Sequence, residues 1–294
     1  MNSIEKNSFG NKNDNSESIN DFETFYGIPQ SLELNQLLEE VDSHRNQINS
    51  YPKDSELWKT IQEKLNISWT YSSNAIEGST LTLGETIFFL QQGLTVEGKP
   101  FKDFLDAKNH SEAIELVFDF IKGNREISEG FIKEINALLL SGVSYTPALD
   151  QFGQKAKKKA NPGQYKVQPN HVLQSDNTIH RYAEPLQVPT EMNYLVEWIN
   201  KNFELLHPIL LSSIAHYNFV RIHPFDDGNG RGARLLMNLI LIKKGFQIAI
   251  IRNEERRKYL ESLSKADKGN LAPFVEFVCS SLLQTQKIIL QDLR

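Results

Sequence analysis

His223-Pro-Phe-Asp-Asp-Gly-Asn-Gly-Arg-Gly-Ala-Arg234 runs without a break into Leu235-Leu-Met-Asn-Leu-Ile-Leu-Ile242, and this stretch sets the reading of the whole chain. Its second half is a long apolar-periodic run, which reads as a helix. Its first half is the loop that opens that helix. Gly228 and Gly230 let the backbone take turns that a Cβ disfavours, so successive N–H groups can converge on an anion. Asn229 between them tolerates left-handed geometry and can donate hydrogen bonds. The helix start adds unpaired N–H groups and a partial positive charge. Arg231 and Arg234 lie three apart on the first turn and share a face. Asp227 is placed to hold a divalent cation against phosphates. His223 has the unperturbed pKa suited to proton abstraction near neutrality. Singly, each feature is commonplace: Gly-Asn-Gly is a frequent turn, paired arginines are often solvated, and His-Pro often just stops a helix. In this order they imply phosphate-transfer chemistry. Neither a Walker loop nor a Rossmann fingerprint fits, and zinc is the weaker reading because no further His or Cys recurs at ligand spacing.

The 294 residues leave room for one large or two modest domains. A formal charge of −5 provides no global basic field, so direct nucleic-acid binding is not expected. The basic run Lys155 to Lys159 reads as a solvated loop. Cys279, the only cysteine, excludes an intrachain disulfide and reads as a buried structural thiol. There is no signal-peptide pattern and no apolar run of membrane-spanning length. A cytoplasmic location with no membrane partner is expected.

Outward from the central stretch the pattern is helical. The first twenty residues are rich in Asn, Ser, Glu and Asp and are expected to be disordered. Leu32, Leu34, Leu37, Leu38 and Val41 form one apolar stripe; Leu57, Ile61, Leu65, Ile67, Trp69 and Ala75 form a second, which stops at Gly78. Thr82-Leu-Gly-Glu85 reads as a capping box opening a helix that ends near Gly93. Further helices are expected over about 102–122, 128–140, 188–203, 208–222, 229–244, 253–266 and 271–293. Between Gly142 and Pro189 the helical period disappears, leaving strand-like pieces at Gln164–Val167 and Ile179–Tyr182 that suit a flap. The expected fold class is all-α, a helical bundle with a small β-hairpin flap. Four segments are expected: a tail (1–30), an N-terminal helical region (31–105), a core with the flap (106–252) and C-terminal helices packed on it (253–294).

The loop resembles the signature of the Fic family, His-x-Phe-x-[Asp/Glu]-Gly-Asn-Gly-Arg-x-x-Arg, with every fixed position matched. Upstream, Ser73-Asn-Ala-Ile-Glu77-Gly78 resembles the motif [Ser/Thr]-x-x-x-Glu-[Gly/Asn] of Fic proteins that carry their own N-terminal inhibitory helix. The resemblance implies a Fic-type bundle with additional N-terminal inhibitory helices. It also implies an enzyme that uses ATP with Mg²⁺ to place AMP on a hydroxyl of a target protein, or on itself. Carried over position by position, His223 is the general base for the incoming Ser, Thr or Tyr hydroxyl, and Asp227 holds Mg²⁺. The backbone N–H groups of Gly228, Asn229 and Gly230 stabilise the transferring phosphoryl group, and Arg231 and Arg234 clamp the β- and γ-phosphates. Phe225 is the buried anchor of the loop, and Asp226 falls at a variable position. Gln164, Tyr165, Ile179 and His180 fall in the flap that positions the target side chain, where Lys166 stands in place of the arginine of many members. Tyr259 and Asp267 lie where relatives contact adenine and ribose, although packing explains Tyr259 equally well. Glu77, with Ser73 completing its motif, pairs with Arg234 where a γ-phosphate would sit, so the resting enzyme is largely off. Three alternatives stay open: a hydrolase that uses Glu77 to remove AMP, transfer of another moiety such as UMP, and a non-catalytic interaction module. Homodimers are common in the group, and the sequence locates no interface.

Overall fold

Serine and threonine caps open four of the helices. In the computed structural model, which describes residues 24–149, 155–170, 172–173 and 179–294, Ser31, Ser55 and Ser128 each accept a backbone N–H from the first turn of the helix they precede. These helices are α1 (Leu32–Asn49), α2 (Glu56–Ile76) and α5 (Glu129–Leu139). Thr82 and Glu85 form the reciprocal capping box of α3 (Leu83–Gln92), which ends at left-handed Gly93. Then come α4 (Phe101–Lys122), α6 (Val188–Asn202), α7 (Pro208–Ile222), α8 (Asn229–Lys243), α9 (Arg256–Ala266) after a short 3₁₀ turn, and α10 (Ala272–Asp292). The expected disorder of the first twenty residues lies outside the described residues.

α8 is the axle. Leu235, Leu236, Met237, Leu239, Ile240 and Leu241 are fully enclosed, with α7, α5, α4 and α2 packed around them. Burying one such side chain contributes about 1.5–3 kcal/mol, so α8 is fixed both in place and in rotation. A second apolar cluster lies where α10 crosses α1, α7 and α9. It includes Cys279, a buried thiol whose pKa burial raises to about 12. Among the described residues no helix is long and apolar enough to cross a membrane.

Between α5 and α6 the structure departs from the sequence reading. Lys155–Lys159 is not a loop but a strand, β2, antiparallel to β1 (Tyr145–Leu149) with Tyr145 opposite Lys159. Lys157 and Lys159 point outward while Lys158 turns inward to Asp226. Gln164–Val167 is not a strand. Gly163 has φ 71° and packs so closely on α5 that an added Cβ would lie 3.0 Å from the Lys133 carbonyl oxygen, which turns the chain instead. Ile179–His180, β4, does pair with Val172–Leu173, β3.

Candidate functional site

α7 ends at His223, which has φ 52° and ψ 59° and donates its N–H to the Phe219 carbonyl at 2.9 Å. A non-glycine residue held there costs on the order of 1–3 kcal/mol and needs a surround that enforces it. Part of that surround is the loop itself. The Asn229 side chain accepts from the Phe225 N–H at 2.9 Å and donates to the Phe225 carbonyl at 2.8 Å. Its amide is thereby committed inside the loop, and only its backbone N–H remains for an anion. Phe225 is buried against Phe219 and Tyr165. Gly228 has φ 77°, and no side chain caps α8, so the N–H groups of its first turn have no capping acceptor. Gly230 needs its missing side chain for another reason. It has no positive φ, and a Cβ there would collide with the Glu77 carboxylate.

Arg231 and Arg234 share a face, as their spacing requires, but diverge to different partners. Arg231 Nη1 donates to Asp106 Oδ1 on α4 at 2.7 Å, with both side chains buried. Arg234 donates through Nε to Ser73 Oγ at 3.0 Å, and through Nη2 to the Ser73 carbonyl at 2.8 Å and to Glu77 Oε1 at 2.7 Å. Arg234 is 3% exposed while the Glu77 side chain is 43% exposed, so one end of the pair is dry and the other wet. Burial by itself would raise the Glu77 pKa, but Arg234, Arg231 and Arg256 together hold it below the usual carboxylate value. Arg256, at the start of α9, also donates to the Ile76 carbonyl at 2.9 Å, bracing the end of α2. Tyr259 is buried, its hydroxyl 3.1 Å from His216 Nε2 and close enough to feel the Arg234 charge.

The His223 ring lies flat on Tyr182, with centroids 3.8 Å apart and planes at 18°. Burial, then the Lys166 cation, push its pKa down to about 3, and the Val220 carbonyl opposes this weakly. The ring is therefore neutral at physiological pH and able to accept a proton. His180 on β4 sits beside Tyr182, its Nδ1 3.9 Å from Asp267, which also accepts from the Tyr217 hydroxyl at 3.2 Å. Burial raises the Asp267 pKa, and His180 and Tyr217 pull the other way. Gln164 is exposed in the turn. Tyr165 is anchored, donating to Glu129 Oε2 on α5 at 2.7 Å. Ile179 lies on β4 opposite Leu173. Asp226 binds Lys158 and so ties the loop to β2. Asp227 Oδ1 accepts the Gly228 N–H at 2.6 Å, which leaves Oδ2 uncommitted. Among the described residues no cluster of three His, Cys, Asp or Glu groups could cage a metal ion. One carboxylate beside an anion cradle fits Mg²⁺, which keeps waters and takes substrate phosphates as ligands.

Sequence reasoning missed Asp106, Asn136, Asn170, Tyr182 and Arg256. Asn136, on α5, donates to the Asp227 carbonyl at 2.9 Å and accepts from the Gly163 N–H at 3.0 Å, so one side chain joins the loop to the turn. A signal was present for Asp106. Asp103, Asp106 and His110 recur at helical spacing on α4, and all are buried.

A signature loop at the start of an enclosed helix, inside a mostly helical bundle with small antiparallel hairpins, is the architecture of the Fic fold. The chain is a Fic-domain protein: residues 126–241 match the Fic/DOC family model. The protein adenylyltransferase Fic of Nematostella vectensis is 34% identical over 254 residues, covering 85% of this chain and 55% of the relative. The protein adenylyltransferase fic-1 of Caenorhabditis elegans is 30% identical over 248 residues, covering 82% and 44%. The chain thus spans about half the length of these relatives. Among solved structures, a Fic-domain-containing signalling protein from Bacteroides thetaiotaomicron superposes with a TM-score of 0.76 at 29% identity, covering 87% of this chain and 96% of that one. Fic-1 from C. elegans gives 0.73 at 28% identity, covering 88% and 71%.

Proposed function

We propose that the chain is an autoinhibited protein adenylyltransferase, moving AMP from ATP to a Ser, Thr or Tyr hydroxyl of a protein target or of the chain itself. The observation that carries this is the uncapped N-terminus of α8, with neutral His223 on one side and the Arg231 and Arg234 guanidinium groups on the other. The hydroxyl oxygen forms a bond to the α-phosphorus, the bond from that phosphorus to the bridging oxygen breaks, and pyrophosphate leaves. The hydroxyl proton passes to His223 Nε2. The Asn229 and Gly230 N–H groups, joined by that of Gly228 once it leaves Asp227 Oδ1, stabilise the negative charge that builds on the phosphoryl oxygens. Asp227 would hold Mg²⁺, which supplies neutralisation of the phosphates when bound. In the resting state Glu77 and Ser73 occupy Arg234, the cation proposed for the γ-phosphate. Gln164, Tyr165, Ile179 and His180 are proposed to border the target, and Tyr259 and Asp267 the nucleoside.

This assigns residues 31–105 a regulatory role over the core at 106–252, with 253–294 bracing both. The proposed setting is cytoplasmic, and a homodimer is the proposed assembly. A second reading rests on one observation: only Oε1 of Glu77 is engaged, and its side chain is 43% exposed. The free oxygen can orient a water whose oxygen bonds to the phosphorus as the bond from phosphorus to the target oxygen breaks, with the water's proton taken by Glu77 and a proton returned to the target oxygen from His223.

ATP labelled at the α-phosphate tests the transferase. We expect weak labelling by the wild-type protein, strong labelling by Glu77→Gly, and none once His223→Ala is added. An unlabelled Glu77→Gly protein, with lysate proteins present as acceptors, ends the transferase reading. Release of AMP from a modified target by the wild type, and not by Glu77→Gly, supports the second.

A further inference from the structure

Four consecutive carbonyls, Ile222 to Phe225, are held by one short segment of chain. Lys166 Nζ donates to the Ile222 carbonyl at 3.3 Å, and the Lys166 N–H donates to the Pro224 carbonyl at 2.8 Å. Asn170 Nδ2 donates to the His223 carbonyl at 3.4 Å and to the Phe225 carbonyl at 2.9 Å. Lys166 Nζ also donates to Asn170 Oδ1 at 2.7 Å, which joins the two side chains into one bracket. Lys166 is only 3% exposed. An ammonium so enclosed is costly unless its protons find acceptors, and here they are spent on the start of the signature loop.

Two residues gripping every carbonyl around His223 do more than pack a loop. His223 holds a left-handed conformation, and the peptide groups on either side of it set the direction of its Cα–Cβ bond. The same segment leads into β3 and β4, after which Tyr182 lies on the imidazole face, with Lys166 Nζ 5.8 Å from the Tyr182 ring. Backbone and ring of His223 are therefore set from one side by elements that do not belong to the signature.

We propose that Lys166 and Asn170 are positioning residues for the transfer reaction, fixing the orientation of the His223 imidazole without touching the substrate. The proposal rests on the reading of His223 as general base. The groups facing His223 are Lys166, His180 on β4, the Tyr182 ring and the Val220 carbonyl of α7. Those facing Lys166 are Glu184, Glu191 on α6, Asp226 in the loop and Lys158 on β2. Removing the Lys166 charge leaves burial as the main force on the imidazole, so its pKa rises.

The test places Lys166→Met, Lys166→Arg and Asn170→Ala in the Glu77→Gly background and measures kcat, KM for ATP and the ATP dissociation constant. Expected is a fall in kcat of about tenfold or more for Lys166→Met and Asn170→Ala, the scale set by small misplacements of a reacting group. The ATP dissociation constant stays within about twofold of the parent, since substrate binding energy is supplied elsewhere. Lys166→Arg, which keeps charge and donors, recovers most of the loss. An unchanged kcat in folded variants, a parallel loss of kcat and ATP affinity, or no rescue by arginine overturns the proposal. Should the Glu77→Gly parent transfer no AMP, the function reading fails on its own. The bracket is then decided by crystal structures of the wild type and Lys166→Met: a His223 ring that leaves its stacked place on Tyr182 sustains it, and an unmoved ring removes it.

Discussion

Replacing Glu77 with glycine should increase affinity for ATP while leaving AMP binding alone. The magnitude follows from the asymmetry of the pair. A charge-assisted hydrogen bond contributes about 1.5–3 kcal/mol when dry, and a fully exposed ion pair about 0–1 kcal/mol. Arg234 is 3% exposed and Glu77 43% exposed, so the contact at 2.7 Å falls between these limits. A value of about 1–2 kcal/mol corresponds to roughly a 5- to 30-fold change in an equilibrium constant. Arg234 keeps both of its bonds to Ser73 when Glu77 is lost, so the variant frees one edge of the guanidinium while the rest of it stays held. The measurement is titration calorimetry with ATP and Mg²⁺ in the His223→Ala background, where turnover cannot distort binding. AMP, which has no γ-phosphate, is the control. The reasoning fails if ATP affinity changes by less than about twofold, a difference within the ~0–1 kcal/mol of a fully exposed pair. It fails equally if AMP affinity rises as much as that of ATP, because the block would then not be at the phosphate tail.

Two further outcomes follow from the buried charges. Asp106→Ala leaves the enclosed Arg231 with only the looser contact to Asp227 at 3.8 Å and should cost about 3 kcal/mol of stability in urea unfolding; Lys102→Ala, which removes the exposed partner of Asp106, should cost under about 1 kcal/mol, and equal losses would refute the assignment. Acid should also weaken the fold before the carboxylates titrate. His216 is fully enclosed with its pKa lowered by burial, then by Arg234, to about 3. As pH falls through the ordinary histidine value the unfolded chain takes up a proton that the native state refuses, so stability drops. At pH 5 this one group accounts for about 2 kcal/mol relative to neutral pH, and His110 acts in the same direction. Urea midpoints that coincide at pH 7.5 and pH 5 would contradict this.

Much of the helical frame was legible because its signals are local. The capping box at Thr82 and Glu85 and the glycines after α2 and α3 mark element ends within a few residues of chain. So does Pro208 at the start of α7. The lysine strand was not legible, since no alternation of apolar residues marks it and its partner is the separate strand Tyr145–Leu149. Asp106, Asn136 and Asn170 escaped for a related reason. The importance of each comes from a partner 125, 91 or 53 positions away, which no local pattern names, the spacing around Asp106 included. Gly230 shows the limit of motif reading: its place in the signature was plain, but the reason for a glycine there is the carboxylate of a different helix.

The Arg256 bond to the Ile76 carbonyl gives the molecule a sense of timing. Ribosomes deliver Glu77 first, Arg234 much later, and the brace at residue 256 last. A growing polypeptide thus completes the loop that starts at His223 before the residue that braces the end of α2 has been made.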